Sequence, residues 1–125
     1  MAMRDVFVVL TRDKGLFLVE PRAGMNQRDT IEAALGFGGG YSAGKVQVDL
    51  PEGATEAWAA WVTGDDPQGR PYFFMRAFDP SLAQDEVERL IAAEGEEWVK
   101  LNRSPIYQPD RPIDHTDRDA VEFQP

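Results

Sequence analysis

The 125 residues fit one domain, and an apolar content of 42% with three Trp, seven Phe and three Tyr is enough to build a core and argues against global disorder. Cysteine is absent, which excludes disulfides, thiolate nucleophiles, Cys-ligated zinc and iron–sulfur clusters and favours a reducing compartment, the cytoplasm. The net charge of −9 is uneven: residues 1–45 hold six bases and five acids, whereas residues 46–125 hold seven bases and seventeen acids. Such a surface repels phosphate backbones and disfavours direct nucleic-acid binding, while aiding solubility and attracting basic proteins. No stretch approaches the ~20 apolar residues of a membrane-spanning helix, and the first residues do not read as a signal peptide.

In chain order, Val6–Leu10 and Leu16–Val19 read as two strands joined by turn residues around Gly15, a β-hairpin. Both strands are apolar at successive positions, so both faces need cover. In a small domain that cover is expected from the C-terminal tail or from another subunit, which makes the first hairpin a candidate homo-oligomer contact.

Asn26 suits a helix N-cap, with Asp29 in the first turn, Ile31, Ala34 and Leu35 on one face, and Gly36 closing the helix. This predicts a helix over 27–35. Residues 36–44 form a glycine-rich loop, and residues 45–50 alternate polar and apolar as a half-buried strand. Residues 39–45 fit G-x-x-x-x-G-K, but Val46 stands where a phosphate-binding loop needs Ser or Thr, and the loop runs from helix into strand, the reverse of that motif. The loop reads as a connector. As a lid, it would offer Gly39, Gly40, Gly44 and Lys45 to a ligand, with Lys45 as the anion contact.

Residues 57–63 and 71–78 predict a second hairpin, although Trp58 and Trp61 at helical spacing leave a short helix open for the first segment. Asp79 or Ser81 is expected to cap a second helix with Leu82, Val87, Leu90 and Ile91 as its buried stripe. Trp98 and Leu101 fit either an extension of that helix or a short strand. From residue 102 the proline density predicts an extended tail, anchored by Ile106, Tyr107, Ile113 and Phe123. The expected fold is α+β: residues 1–101 as one domain, with a mostly antiparallel sheet of about five strands and two helices on one face, and residues 102–125 as a Pro-rich tail.

No catalytic set assembles from these residues. His115, the only histidine, lies between Asp114 and Asp117 in the Pro-rich segment and reads as solvated; no metal or cofactor is implied. Paired carboxylates read as a solvated helix face or a turn. The leading expectation is therefore a non-enzymatic protein-binding module, such as a small acidic inhibitor or immunity-type protein that masks a basic site. Its contact residues would be Asp85, Glu86, Glu88, Glu94, Glu96 and Glu97. The alternatives are a small-molecule-binding protein or enzyme with the glycine loop as lid, and a structural subunit of a larger assembly.

Overall fold

A computed structural model describes residues 2–12, 14–36 and 40–110. The elements are β1 (Ala2–Thr11), β2 (Gly15–Val19), α1 (Gln27–Leu35), β3 (Tyr41–Leu50), β4 (Glu56–Asp65), β5 (Pro71–Phe78), α2 (Gln84–Ala93) and β6 (Glu97–Tyr107). The fold is α+β. Its six strands form one mixed sheet in the order β3-β1-β2-β6-β4-β5. The sheet curls until its two edge strands, β3 and β5, approach each other without pairing, so it is nearly a barrel. No helix among the described residues is long and apolar enough to cross a membrane.

The hairpin of β1 and β2 runs from Phe7↔Val19 to Thr11↔Gly15, and Gly15 takes the positive φ its turn requires. Its two apolar faces are both buried within the chain. Val6, Val8, Leu16 and Leu18 face the concave interior with Val48, Leu50, Ala57, Ala59 and Ile106. Phe7, Val9, Phe17 and Val19 face outward onto Ile31, Ala34 and Leu35 of α1. The cover expected from a tail or a second subunit is thus supplied chiefly by α1. That helix forms where its local signals place it: Asn26 Oδ1 accepts from the Asp29 N–H at 2.7 Å, and Gly36 in the left-handed region donates to Glu32 O at 2.8 Å.

The glycine-rich stretch is shorter as a loop than its composition suggests, because β3 begins at Tyr41. Gly44 pairs with Val8 and faces Met75 across the β3–β5 seam; a Cβ there would lie 3.4 Å from Met75 Cγ. The glycine lets the two edges approach.

Residues 56–65 are strand, not helix. β4 and β5 pair from Trp58↔Phe78 to Asp65↔Pro71, and the two-residue period sends Trp58 and Trp61 to opposite faces. Trp58 goes to the convex face with Ala60 and Val62, where Val87 and Ile91 of α2 cover it and its Nε1 donates to Leu82 O at 2.8 Å. Trp61 goes to the concave side. Both helices therefore lie on the convex face. Two expectations for α2 fail. Its N-cap is Ala83, because the Asp79 carboxylate instead accepts from the backbone and hydroxyl of Ser81, and Glu86 reaches back to the Ala83 N–H at 3.0 Å. Leu90 is 46% exposed, so the buried stripe is Val87 and Ile91, with Leu82 beside them.

The sixth strand is the main correction. Residues 102–107, expected to open a tail, form the second half of β6 between β2 and β4. Pro105 is tolerated in this central position for a definable reason. Ile106 N–H donates to Thr55 O on the β4 side at 2.8 Å, so the Pro105 nitrogen faces β2, given that alternate residues point opposite ways. On that side the parallel ladder covers only Leu18↔Ile106 and Val19↔Tyr107. Side chains bridge the rest: Ser104 Oγ accepts from the Leu18 N–H at 3.2 Å, and Asn102 Nδ2 donates to Leu16 O at 2.8 Å. Ile113 and Phe123 lie outside the described residues.

Two outcomes follow from β6. Ser104→Ala should cost about 1–3 kcal/mol in denaturant unfolding, because it strands the buried Leu18 N–H; an unchanged midpoint would show that the side-chain bridge carries no weight. Burial also holds the Tyr107 phenol above its ordinary value of 10.0. The folded state then favours the neutral phenol, so its contribution is complete below that value and is lost as pH rises through the raised pKa. Tyr107→Phe should retain more of its thermal stability than the parent above about pH 10, and identical alkaline slopes for the two proteins would contradict this.

Candidate functional site

The strand registers put one terminus of each strand at one end of the barrel. Thr11 pairs with both Gly15 and Tyr41, Asp65 with Pro71, and Trp61 with Lys100. The ends of β1 and β4 and the starts of β2, β3, β5 and β6 therefore surround a common mouth. Two surfaces arise there, one on the convex flank and one on the concave side.

On the convex flank, alternation along β5 lines up Tyr72, Phe74 and Arg76. Tyr72 stacks on Phe74 with ring centroids 5.2 Å apart, and the Arg76 guanidinium lies 5.3 Å from the Phe74 centroid. Arg76 then divides its charge between Glu94 at 2.8 Å and Glu96 at 3.0 Å. Tyr72 covers Gly64: a Cβ on Gly64 would meet Tyr72 Cζ at 3.4 Å and Glu96 Cγ at 3.6 Å. Across β4 on the same face, Val62 pairs with both Phe74 and Trp98. A register shift between Trp61 and Val62 leaves Val99 unpaired, a bulge, and Trp98 and Val99 are 42% and 41% exposed.

The Arg76 cluster is incomplete as an ion pair. Arg76 Nε and Glu96 Oε2 are buried without a hydrogen-bond partner, and the Glu96 side chain is only 11% exposed.

On the concave side, Trp61 packs against Phe73 with centroids 5.2 Å apart. A cleft of about 550 Å³ opens at the mouth, lined by Leu10, Arg12, Gly40, Ser42, Trp61 and Lys100 among others. A second, of about 440 Å³, runs along the β3–β5 seam from Ser42 to Val46 and from Phe73 to Met75, again with Trp61 in its wall.

The six acids expected to meet a partner do not form one patch. Asp85, Glu86 and Glu88 lie at the start of α2, and Glu94, Glu96 and Glu97 beyond its far end, separated by the helix's length of about 15 Å. Several are already engaged: Asp85 faces Arg89 at 3.5 Å, Glu86 closes the helix N-terminus, Glu88 accepts from Gln84, and Glu94 and Glu96 hold Arg76. Glu97, at the start of β6, has no ion pair among the described residues. Of the glycine-loop group, Gly40 lines the mouth cleft, while Gly44 and Lys45 belong to β3 and line the seam; Gly39 lies outside the described residues. So does His115. Among the described residues, no group of three or more His, Cys, Asp or Glu side chains is arranged to hold a metal ion.

Sequence reasoning missed the convergence of Arg12, Trp61 and Lys100. Arg12 follows the end of β1, Trp61 lies on β4 and Lys100 on β6, all remote in the chain, and the pairing of Lys100 with Trp61 depends on the neighbouring bulge. No local pattern signals it. No protein-family model matches the chain, and comparison with curated proteins and with solved structures returns no match.

The Arg76 geometry makes a prediction of its own. Arg76→Leu should cost about 1–3 kcal/mol, because it leaves the nearly buried Glu96 carboxylate without its cation. Adding Glu96→Leu should recover part of that loss. A double variant no more stable than Arg76→Leu alone would show that the carboxylate is satisfied by other means.

Proposed function

We propose that the chain is a non-enzymatic protein-binding module that docks a basic protein through the convex flank formed by Tyr72, Trp98 and Glu94. The observation that carries this reading is the placement of exposed tyrosine and tryptophan beside carboxylates at the end of α2. Tyrosine and tryptophan are enriched among the residues that dominate interface energies, because each brings a large rigid contact area and a polar tip. Carboxylates at the rim favour a basic partner and exclude an acidic one. A small acidic inhibitor or immunity-type protein that masks a basic site is the concrete form, acting in the reducing cytoplasm that a cysteine-free chain suits.

The structure narrows which acids such a reading can use. Asp85, Glu86 and Glu88 serve α2 itself, and Glu97 pairs with Thr63 and so turns to the concave side, which leaves the contact charge to the half-exposed Glu94. The test compares captures from native lysate, at low and high salt, by the parent, by Trp98→Ser and by Glu94→Gln. The expected outcome is a stoichiometric basic partner held by the parent and released by salt. Trp98→Ser should lose it by roughly thirtyfold in affinity, and Glu94→Gln should weaken its salt-dependent component. A partner retained equally by both variants, or no stoichiometric partner, would overturn the reading.

A further inference from the structure

Most basic side chains in this acidic chain have a visible occupation. Six arginines each meet a carboxylate, from Arg4 on Glu20 to Arg89 on Asp85. Arg103 lies 4.7 Å from the Trp58 ring centroid and donates to Leu82 O at 3.1 Å. Among the described residues, Arg12, Lys45 and Lys100 have no carboxylate within ion-pair distance, although the protein carries nine more acidic than basic groups. Their positions are not scattered. Arg12, just past β1, and Lys100 of β6 line the mouth cleft with Trp61 of β4, and Lys45 lies on the adjoining stretch of β3 along the seam.

We propose that the mouth cleft binds a small anionic molecule carrying a flat ring, with the ring against Trp61 and the carboxylate, sulfate or phosphate between Arg12 and Lys100. The cleft volume of about 550 Å³ suits such a ligand, since small-molecule sites run from roughly 300 to 1,000 Å³. Trp61 is held by Phe73 on one side, so the ring surface is positioned before a ligand arrives. Arg12 is held too: its backbone N–H donates to Gly40 O at 2.9 Å, which ties the β1–β2 turn to the glycine-rich connection. Gly40 has a φ of 65°, which a residue with a Cβ adopts only at a cost. Ser42 at the same lip adds a hydroxyl that can donate to the anion.

The overall charge sets the size of the ligand. A polyanion would extend beyond the cleft and meet the acidic surface, including Glu97 near Lys100 in β6. A single anionic group needs only the local field of two cations at a concave, partly apolar site. The site lies on the concave side of the sheet and does not depend on the convex docking face.

The test is calorimetric titration of the full chain with naphthyl phosphate, naphthol and inorganic phosphate, combined with amide and indole NMR shifts. Naphthyl phosphate should bind at least about tenfold more tightly than either fragment and should shift the signals of Trp61 and Lys100. Arg12→Gln and Lys100→Gln are surface changes that should leave the melting temperature in place, and each should weaken naphthyl phosphate by about tenfold. Arg89→Gln, on α2, should not. Equal binding of naphthol and naphthyl phosphate, no saturation in the millimolar range, or unchanged affinity after both cations are replaced would overturn the proposal.

Discussion

The seam between β2 and β6 joins two antiparallel sets of strands, β3-β1-β2 and β6-β4-β5, into a single sheet, yet its backbone ladder covers only two residue pairs. Asn102 and Ser104 extend it with side-chain hydrogen bonds to Leu16 and Leu18. Without this seam the concave core would open along its length, because Leu16 and Leu18 on one side and Ala57, Ala59 and Ile106 on the other share one cluster. A buried N–H without a partner is costly, so a strand that carries proline at this position must bring its own substitutes. β6 does so, and both halves of the fold depend on it.

Curling follows from the same arrangement. The concave cluster mixes large side chains from β1, β2 and β3 with alanines from β4, which lets the sheet close tightly on one side. Gly44 opposite Met75 carries the approach to the β3–β5 seam. Nearer the mouth, Trp61 and Phe73 occupy the same face and are too large for so close an approach, and clefts remain. On the convex face two helices suffice to cover the centre of each half. They leave the aromatic residues at the mouth end of β5 and β6 outside that cover, with Trp98 and Tyr72 partly exposed. Both candidate surfaces are therefore places where large side chains exceed what the local packing can bury.

The legible parts of this fold were those governed by near neighbours. The first helix could be read to its ends because Asn26, Asp29 and Gly36 act within one turn of it. Both hairpins could be read because their turns and apolar runs are contiguous. β6 could not, since Pro105 argues against a central strand until one knows that its nitrogen faces the side where Ser104 supplies the hydrogen bond. The second helix was placed well but capped wrongly, because Asp79 has a competing bond to Ser81 only two residues away. The acids could be named from sequence, but not which of them Arg76, Arg89 or the helix N-terminus would occupy. The grouping of Arg12, Trp61 and Lys100 is a product of register across β1, β4 and β6, and register includes a bulge that no sequence period reports.

The two surfaces also separate the chemistry of a strongly acidic protein. Ion pairs such as Arg76 with Glu94 and Glu96 cancel charge at contact range but leave the net field unchanged beyond it. At physiological ionic strength that field decays over about 8 Å. A basic protein approaching the convex flank gains from both the long-range field and the nearby Glu94, so added salt removes attraction on each scale. A small anion entering the mouth is repelled at long range and attracted at short range by Arg12 and Lys100. Salt weakens these two terms together, and their changes partly cancel. The two proposed modes of binding therefore differ in their expected ionic-strength dependence, steep for a basic protein on the convex face and shallow for a small anion in the concave cleft.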